Sequence, residues 1–318
     1  MTDFLFDKIG VDIIHFIQSF SNPLLDTFFR VITNFGDVPF YLVALALIYW
    51  LYSKKTGAHL AAALIIFGFV TQIIKGVVGW TRPYQQVPSD AKAISTATGY
   101  SFPSGHSQST GTFWPVAVHF CTDNTRKKIL TILGIVAIFL IPFSRVYLGV
   151  HYPGDVVFGL ALGLVGAFLY IKLNQPIIDI FKEKDTKMLL SIAVVLGILM
   201  LVVEISSTLL SGHDLVISEP GVLSGMFLGA FTGFILENRF LNFNEKPTLR
   251  FYYFTRIVIG LITVVLCYGV PHLFFTFFDG VYIVILRHFV ELSLVGFGIA
   301  FLGPYVFTKF ENYWSTRN

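Results

Sequence analysis

Long runs of apolar residues constrain the fold of this chain more than any other feature of its sequence. Several runs reach the roughly 20 residues that an α-helix needs to cross a bilayer. Only 13% of the 318 residues are charged, whereas a soluble domain carries about 25%. Because 55% of the residues are hydrophobic, the chain lacks the polar surface of a water-soluble protein. We therefore predict an integral membrane protein of the all-α class, a polytopic bundle of transmembrane helices.

Nine segments have the composition of membrane spans, and amphipathic segments precede them. The predicted spans are residues 38–53, 58–80, 105–120, 128–148, 152–173, 187–210, 221–238, 257–278 and 289–308. Residues 11–34 are apolar on one side and polar on the other, and Ser21-Asn22-Pro23 interrupts them. This pattern predicts two helices that lie at the membrane interface.

The loops between these spans differ in charge according to the face on which they fall. Most of the 22 Lys and Arg residues lie on one face: Lys54, Lys55, Arg126, Lys127, Lys128, Lys172, Lys182, Lys184, Lys187, Arg239, Lys246, Arg250, Arg256, Lys309 and Arg317. The positive-inside rule places this face in the cytoplasm, so the N-terminus is predicted outside and the C-terminus inside. The net charge of +3 is too small to indicate a nucleic-acid partner.

Three segments carry residues that are unusual at membrane boundaries. They are residues 75–83, with Lys75 and Arg82-Pro83; residues 103–106, which read Pro-Ser-Gly-His; and residues 144–155, which begin Ser-Arg and end in Asp155. All three fall on the predicted non-cytoplasmic face. We expect the four helix ends that bear them to converge on one shallow pocket.

The charged residues of these segments suit an oxyanion. Lys75, Arg82 and Arg145 are cations, and the two arginines can bind phosphate oxygens in a bidentate manner. Lys75 and Arg82 are seven residues apart, so they share a helix face if the helix continues that far. Ser104 and Gly105 lie at a predicted helix start, where free N–H groups and the helix dipole favour an anion.

Two histidines and a carboxylate add the groups that phosphoryl transfer requires. His151 and Asp155 are four residues apart, so the carboxylate can accept from one ring nitrogen and leave the other free to attack. His106, on a different helix, can protonate a leaving oxygen. Together with the cations, these side chains predict a site for metal-free phosphoryl transfer.

The three segments resemble the signature of the type 2 phosphatidic acid phosphatase superfamily, a fold that is similar to the vanadium haloperoxidases. The signature reads Lys-x6-Arg-Pro, then Pro-Ser-Gly-His, then Ser-Arg-x5-His-x3-Asp, and every specified position is matched. The resemblance covers residues 1 to about 175. The nine-span layout is also similar to the glucose-6-phosphatase and sphingosine-phosphate phosphatase branches, although only in layout.

The resemblance implies a role for each of these residues and a reaction without a metal or other cofactor. His151 attacks phosphorus, Asp155 assists it, and His106 protonates the leaving group. Water then hydrolyses the phosphohistidine. The phosphate oxygens are held by Lys75, Arg82, Ser104, Gly105 and Arg145.

The chain divides into two predicted regions. Residues 1–180 form the catalytic core, with interfacial helices and five spans, and residues 181–318 form an accessory region of four spans without a catalytic motif. Glu204, in the middle of a span, either hydrogen-bonds to a neighbour, stays protonated or serves ion or substrate passage. Two sets of spaced glycines predict close packing between membrane helices: Gly159, Gly163 and Gly166, and Gly225, Gly229 and Gly233.

The sequence leaves several functions open. We expect a phosphatase of a lipid or polyprenyl phosphate or diphosphate, acting at the outer leaflet of a prokaryotic plasma membrane among membrane lipids. The alternatives are a phosphatase of a water-soluble ester such as a sugar phosphate, and a non-enzymatic lipid-binding or transport protein. The loop from Tyr84 to Ser101, with Gln85, Gln86, Asp90 and Lys92, is expected to set the preference. The oligomeric state stays open.

Overall fold

The computed structural model describes residues 3–85, 91–247 and 249–316, with side chains from residue 9 onward. All regular secondary structure in these ranges is helical. Gln86 and Asp90, which the sequence placed in the specificity loop, lie outside the described residues, as does Arg317. The prediction of an all-α membrane bundle is confirmed.

The helices of the first half carry the three motifs at their ends. They are α1 (Asp3–Gln18), α2 (Pro23–Asn34), α3 (Val38–Leu51), α4 (Lys54–Val78), α5 (Gly105–Phe120), α6 (Asn124–Tyr147) and α7 (Pro153–Phe181). The helices of the second half are α8 (Thr186–Leu210), α9 (Leu215–Ser218), α10 (Val222–Leu236), α11 (Arg250–Phe275), α12 (Val281–Phe297) and α13 (Gly303–Ser315). Two π-helical turns, Glu237–Leu241 and Gly298–Leu302, follow α10 and α12.

Length and composition allow six membrane-spanning helices within the described residues. The pair α2 and α3, bent by 48°, would add a seventh if it crosses as one broken span. Helices α5 and α10 have 16 and 15 residues, fewer than the roughly 20 that a full crossing needs. Eight of the nine predicted spans each overlap one helix, and the ninth, residues 289–308, overlaps α12, the π-helical turn after it and α13. The count of nine is not confirmed and stays a prediction.

The described residues form two compact units. The first contains those of 1–41, 66–173 and 207–218, and the second contains those of 42–65, 174–206 and 219–318. The predicted division at residue 180, into a catalytic core and an accessory region, stays a prediction.

In the first unit, glycines let α5 and α7 approach closely. A methyl group at Gly159 would lie 2.5 Å from the carbonyl oxygen of Ser104. A methyl group at Gly163 would overlap the carbonyl oxygen of Gln108. Since Ser104 precedes the first turn of α5, this packing fixes where that turn lies relative to α7. The predicted packing role of the glycines on α7 is confirmed.

The second unit has the same kind of packing between α10 and α12. Methyl groups at Gly225 and Gly229 would overlap the carbonyl oxygens of Phe289 and Ser293. The predicted packing role of these glycines is therefore also confirmed.

Charged side chains buried in the second unit have polar partners. Glu204 accepts hydrogen bonds from the backbone N–H of Gly221, at 2.8 Å, and from Ser224 Oγ, at 2.7 Å. Arg256 donates to both carboxylate oxygens of Glu311, at 2.6 and 2.9 Å. Buried charges require such partners because desolvation is costly. Of the possibilities left open for Glu204, the structure shows the hydrogen bond to a neighbour.

The packing of α5 on α7 gives a stability prediction. Gly159→Ala forces a methyl group against a backbone oxygen that cannot move without shifting α5, so we expect it to cost about 1–3 kcal/mol. The melting temperature of the purified protein in detergent measures this. Gly269→Ala in α11 is the matched control, because a methyl group there meets nothing within 4 Å. Equal melting temperatures for the two variants would contradict the close packing.

Candidate active site

The residues predicted from the motifs lie at one set of helix ends in the first compact unit. Lys75 lies in the last turn of α4, and Arg145 in the last turn of α6. Gly105 opens α5, and Asp155 lies in the first turn of α7. Since consecutive helices run in alternating directions, the end of one and the start of the next can share a face. This arrangement agrees with the predicted convergence of four helix ends.

His151 lies at the centre of the cluster and is only 2% exposed. Its Nδ1 lies 3.2 Å from Asp155 Oδ2 and 3.3 Å from Ser101 Oγ. Its Nε2 lies 3.1 Å from Arg82 Nη1. A guanidinium nitrogen can only donate, so Nε2 must accept and the ring proton lies on Nδ1. This tautomer leaves a lone pair on Nε2.

Asp155 is fully buried and is fixed by three donors. The backbone N–H of Tyr152 donates to Oδ2 at 3.0 Å, and Ser101 Oγ and His151 Nδ1 face the same oxygen. The backbone N–H of Ser104 donates to the carbonyl oxygen of Asp155 at 3.0 Å. The carboxylate is thus aimed at the imidazole, and the start of α5 is tied to α7 beside it.

Lys75 and Arg82 do not share a helix face, because α4 ends at Val78. Gly79 follows with φ of 61°, a left-handed conformation that terminates the helix at little steric cost for glycine. The expectation that depended on a longer helix is wrong. Both cations instead reach the carbonyl segment, which we define as residues 98–101.

The carbonyl segment accepts from both cations. Arg82 Nε donates to Gly99 at 3.0 Å, Arg82 Nη2 donates to Thr98, and Lys75 Nζ donates to Tyr100. Arg82 Nη1 also donates to the carbonyl oxygen of Val150 at 2.9 Å. The two cations are therefore held by backbone oxygens: Lys75 by the carbonyl segment, and Arg82 by that segment and by Val150, the residue before His151.

Arg145 is 4% exposed and its guanidinium is only partly satisfied. Its Nη1 donates to Thr33 Oγ1 at 2.7 Å, whereas its Nε is buried without a hydrogen-bond partner among the described residues. A buried donor without a partner is costly, so this nitrogen favours an incoming acceptor. Gly105 borders free space, because a methyl group there would meet nothing within 4 Å.

His106 has a carboxylate partner that the motifs did not include. Its Nε2 lies 2.8 Å from Asp37 Oδ1. Gly36 allows the approach, since a methyl group there would lie 2.8 Å from His106 Cδ2. Asp37, Thr33 and Ser101 were all missed by the sequence reasoning. A Gly-Asp pair between two apolar helical segments, on the same predicted face as the motifs, was the available signal for Asp37.

Burial and charge both keep His151 neutral. Burial lowers the pKa of His151 well below its usual range, and the positive charges of Arg82, Arg145 and Lys75 lower that pKa further. A neutral imidazole with its proton on Nδ1 is the form in which Nε2 can act as a nucleophile.

Two family models match this chain. The model described as PAP2 superfamily matches residues 56–179, and the model described as PAP2 superfamily phosphatase, transmembrane extension, matches residues 222–314. Phosphatidylglycerophosphatase B of Bacillus subtilis is 32% identical over 163 residues, which is 49% of this chain and 78% of that protein. The chain belongs to the PAP2 superfamily. Every site residue that the motifs predicted lies within the first match.

Two further relatives match shorter shares of their own length. Lipid phosphate phosphatase delta of Arabidopsis thaliana is 27% identical over 186 residues, 55% of this chain and 45% of that protein. Undecaprenyl-diphosphatase of Sulfolobus acidocaldarius is 34% identical over 125 residues, 39% of this chain and 57% of that protein. The chain thus spans about half the length of these two PAP2 relatives. The predicted family is confirmed and, at the level of the family, so is the prediction of a membrane phosphatase.

The environment of His151 gives a prediction about its protonation. Because its pKa lies well below the usual value of about 6.5, its ring stays neutral, with the proton on Nδ1, between pH 8 and pH 5.5. Nitrogen-15 NMR of histidine-labelled protein measures this, and His151→Gln identifies the signal. The exposed His119 provides the comparison within the same spectra. Titration of the His151 ring near pH 6.5 would contradict the buried, cation-lined site.

Proposed function

We propose that this PAP2 protein hydrolyses a lipid or polyprenyl phosphate or diphosphate through a phosphohistidine on His151. The observation that carries the proposal is the environment of that imidazole. Its Nδ1 faces a buried carboxylate, and its Nε2 faces an arginine at 3.1 Å. A nucleophile next to a phosphate-binding group is what phosphoryl transfer to a side chain requires.

In the first step, His151 Nε2 attacks phosphorus as the bond between phosphorus and the leaving oxygen breaks. The electron pair of that bond goes to the oxygen, which takes a proton from His106. The imidazole becomes positively charged on phosphorylation, and Asp155 stabilises it through Nδ1–H. In the second step, water attacks phosphorus, His106 accepts the water proton, and the electron pair of the phosphorus–nitrogen bond returns to Nε2.

The cations neutralise the charge on the phosphoryl oxygens during both steps. Arg82 Nη1 donates to the Nε2 lone pair, and in the proposed first step this hydrogen bond is exchanged for one to a phosphate oxygen. Arg145 Nε gains the acceptor that it lacks. Lys75 and the N–H group of Gly105 complete the set of donors. The N–H group of Ser104, expected to be free, is bonded to the carbonyl oxygen of Asp155, so Ser104 contributes through its hydroxyl instead.

Asp37 positions His106 for proton transfer. Its carboxylate lies 2.8 Å from His106 Nε2, and its side chain is 42% exposed. A carboxylate in this position restrains the imidazole and stabilises its protonated form, which donates the proton to the leaving oxygen. Asp37 is therefore a positioning residue that acts through His106.

An apolar flank beside the site supports an amphiphilic substrate. Trp80, Phe102 and Phe158 form a continuous row, with ring centroids 5.0 and 4.8 Å apart. Trp80 and Phe158 are 39% and 45% exposed. Phe102 directly follows Ser101, which contacts the catalytic pair. The relatives act on a lipid phosphate, phosphatidylglycerophosphate and undecaprenyl diphosphate by name, which agrees with this flank.

The charge distribution supports an outward-facing site. Arg126 and Lys127 lie in the first turn of α6, and Arg126 is 19 residues before Arg145, which is about 28 Å along a helix. The positive-inside rule places that basic end in the cytoplasm. We assign the active site to the outer face of a prokaryotic plasma membrane and the C-terminus to the cytoplasm. Residues 1–180 supply the catalytic groups, and residues 181–318 are accessory.

The substrate class is tested by phosphate release from a panel. We expect the purified protein to prefer long-chain phosphatidic acid, phosphatidylglycerophosphate or undecaprenyl diphosphate over short-chain and sugar phosphates. His151→Ala is expected to lower turnover on the order of 10⁴-fold, since it removes the nucleophile. A preference for soluble esters would contradict the proposed substrate class. Turnover by His151→Ala comparable with that of the unchanged protein would contradict the mechanism. Lipid binding without any turnover would favour the non-enzymatic alternative.

The role of Asp37 predicts an effect that depends on the leaving group. Asp37→Asn is expected to lower kcat about 10–100-fold for an alkyl phosphate, whose leaving oxygen needs a proton. For 4-nitrophenyl phosphate, whose leaving oxygen needs none, the first step should change little, as measured by the pre-steady-state burst. Asp12→Asn makes the same charge change at an exposed position of α1 and is the control. Equal losses for both substrates would rule out the positioning role.

A further inference from the structure

A segment between the two family matches belongs to the catalytic unit. The matches end at residue 179 and resume at residue 222. Residues 207–218, which we call the linking segment, lie in the first compact unit, whereas residues 174–206 and 219–318 lie in the second. The segment comprises the last turn of α8, a loop and α9. Its contacts are concentrated on the elements that hold Lys75 and Arg82.

His213 of the linking segment caps α4 directly beside Lys75. The last carbonyls of a helix lack intrahelical partners, and a histidine side chain can supply one. His213 Nδ1 donates a hydrogen bond to the carbonyl oxygen of Gly76 at 2.9 Å. The His213 ring occupies the space next to Gly79, where any side chain would overlap it. Gly79 is thus needed for its left-handed φ and for this contact.

Asp214 holds the side chain of Tyr100, whose carbonyl oxygen holds Lys75. The backbone N–H of Asp214 donates to Tyr100 Oη at 2.8 Å, and the rings of Tyr100 and His213 lie 5.4 Å apart. Tyr100 is 6% exposed and belongs to the carbonyl segment that also binds Arg82. One residue therefore connects the linking segment to both phosphate-binding cations.

Further contacts fix the linking segment along the last two turns of α4. Gln72 Nε2 donates to the carbonyl oxygen of Ser218. Thr208 Oγ1 and Ser218 Oγ lie 2.7 Å apart, so the two ends of the segment are joined. A methyl group at Gly76 would lie 2.6 Å from Thr208 Oγ1, which shows how closely the segment follows the helix.

We propose that His213 and the linking segment position the phosphate-binding cations of the active site. Through the cap on Gly76 and the hydrogen bond to Tyr100, the segment fixes Lys75 and the carbonyl segment in one arrangement. Displacement of a binding group by about 1 Å can cost 100-fold in rate. The proposal deepens the proposed function, on which it rests for the phosphate-binding role of the cations. It assigns a positioning role to residues that neither family match includes.

The test compares His213→Leu, which removes the donor, with His213→Asn, which keeps an N–H near the position of Nδ1. We expect His213→Leu to raise the inhibition constant of orthovanadate, a phosphate analogue, and to lower kcat/KM, each about 10–100-fold. His213→Asn should restore most of the vanadate affinity and most of kcat/KM. Leu210→Ala, at a side chain that is 89% exposed in the same segment, should match the unchanged protein. The melting temperatures of all variants show whether a loss of activity comes from displaced binding groups or from a less stable protein.

Three results would overturn the proposal. They are an unchanged vanadate constant in His213→Leu, no recovery in His213→Asn, and an equal loss in Leu210→Ala. If His213→Leu does not fold, Tyr100→Phe replaces it, because that change removes only the hydroxyl that Asp214 binds. Tyr100→Phe should raise the vanadate constant several-fold, and an unchanged constant would overturn the proposal equally.

The outcomes also separate this proposal from the proposed function. An inactive His151→Ala with unaltered linking-segment variants would leave the phosphatase mechanism standing and reject the positioning role. Comparable turnover by His151→Ala would reject the mechanism. Calorimetric binding of vanadate to the His213 variants would then still decide whether the linking segment shapes the anion site.

Discussion

The buried cluster of positive charge around a neutral imidazole is the constraint on which the site depends. Arg82, Arg145 and His151 are each less than 5% exposed, and desolvated cations are stable only with acceptors around them. Backbone carbonyls of residues 98–101 and 150 supply part of this need, and Thr33 supplies another part. The buried Nε of Arg145 has no hydrogen-bond partner among the described residues, and in the proposed mechanism the phosphate supplies one. The same charges suppress protonation of His151, so in the proposed mechanism one cluster prepares both the phosphate site and the nucleophile.

The parts of the site that could be predicted from sequence are those that local spacing determines. His151 and Asp155 are four positions apart, and this spacing predicted a carboxylate at one ring nitrogen, which the structure shows to be Nδ1. The glycines of α7 and α10 were correctly assigned to helix packing, because glycine at every third or fourth position lines one helix face and lets a second backbone approach it. The membrane-bundle fold followed from apolar composition and run length.

The remaining parts could not be predicted because they depend on distant contacts or on backbone geometry. The partners Thr33 and Asp37 lie about 70 or more residues from Arg145 and His106 and carry no motif. The left-handed Gly79 ended α4 and directed Lys75 and Arg82 to the carbonyl segment rather than along one helix face. His213 lies beyond the first family match, and nothing in its neighbouring sequence indicates a helix cap.

The identity of the phosphorylated residue decides whether His151 is the nucleophile. Protein mixed with a lipid diphosphate for a few milliseconds, quenched in alkali to preserve phosphohistidine and digested, can be mapped by mass spectrometry. The proposed mechanism predicts one phosphoryl group, on the imidazole of His151, in a fraction of the protein that rises and then falls as substrate is consumed. A phosphoryl group on His106 or on another side chain, with His151 unmodified, would contradict it.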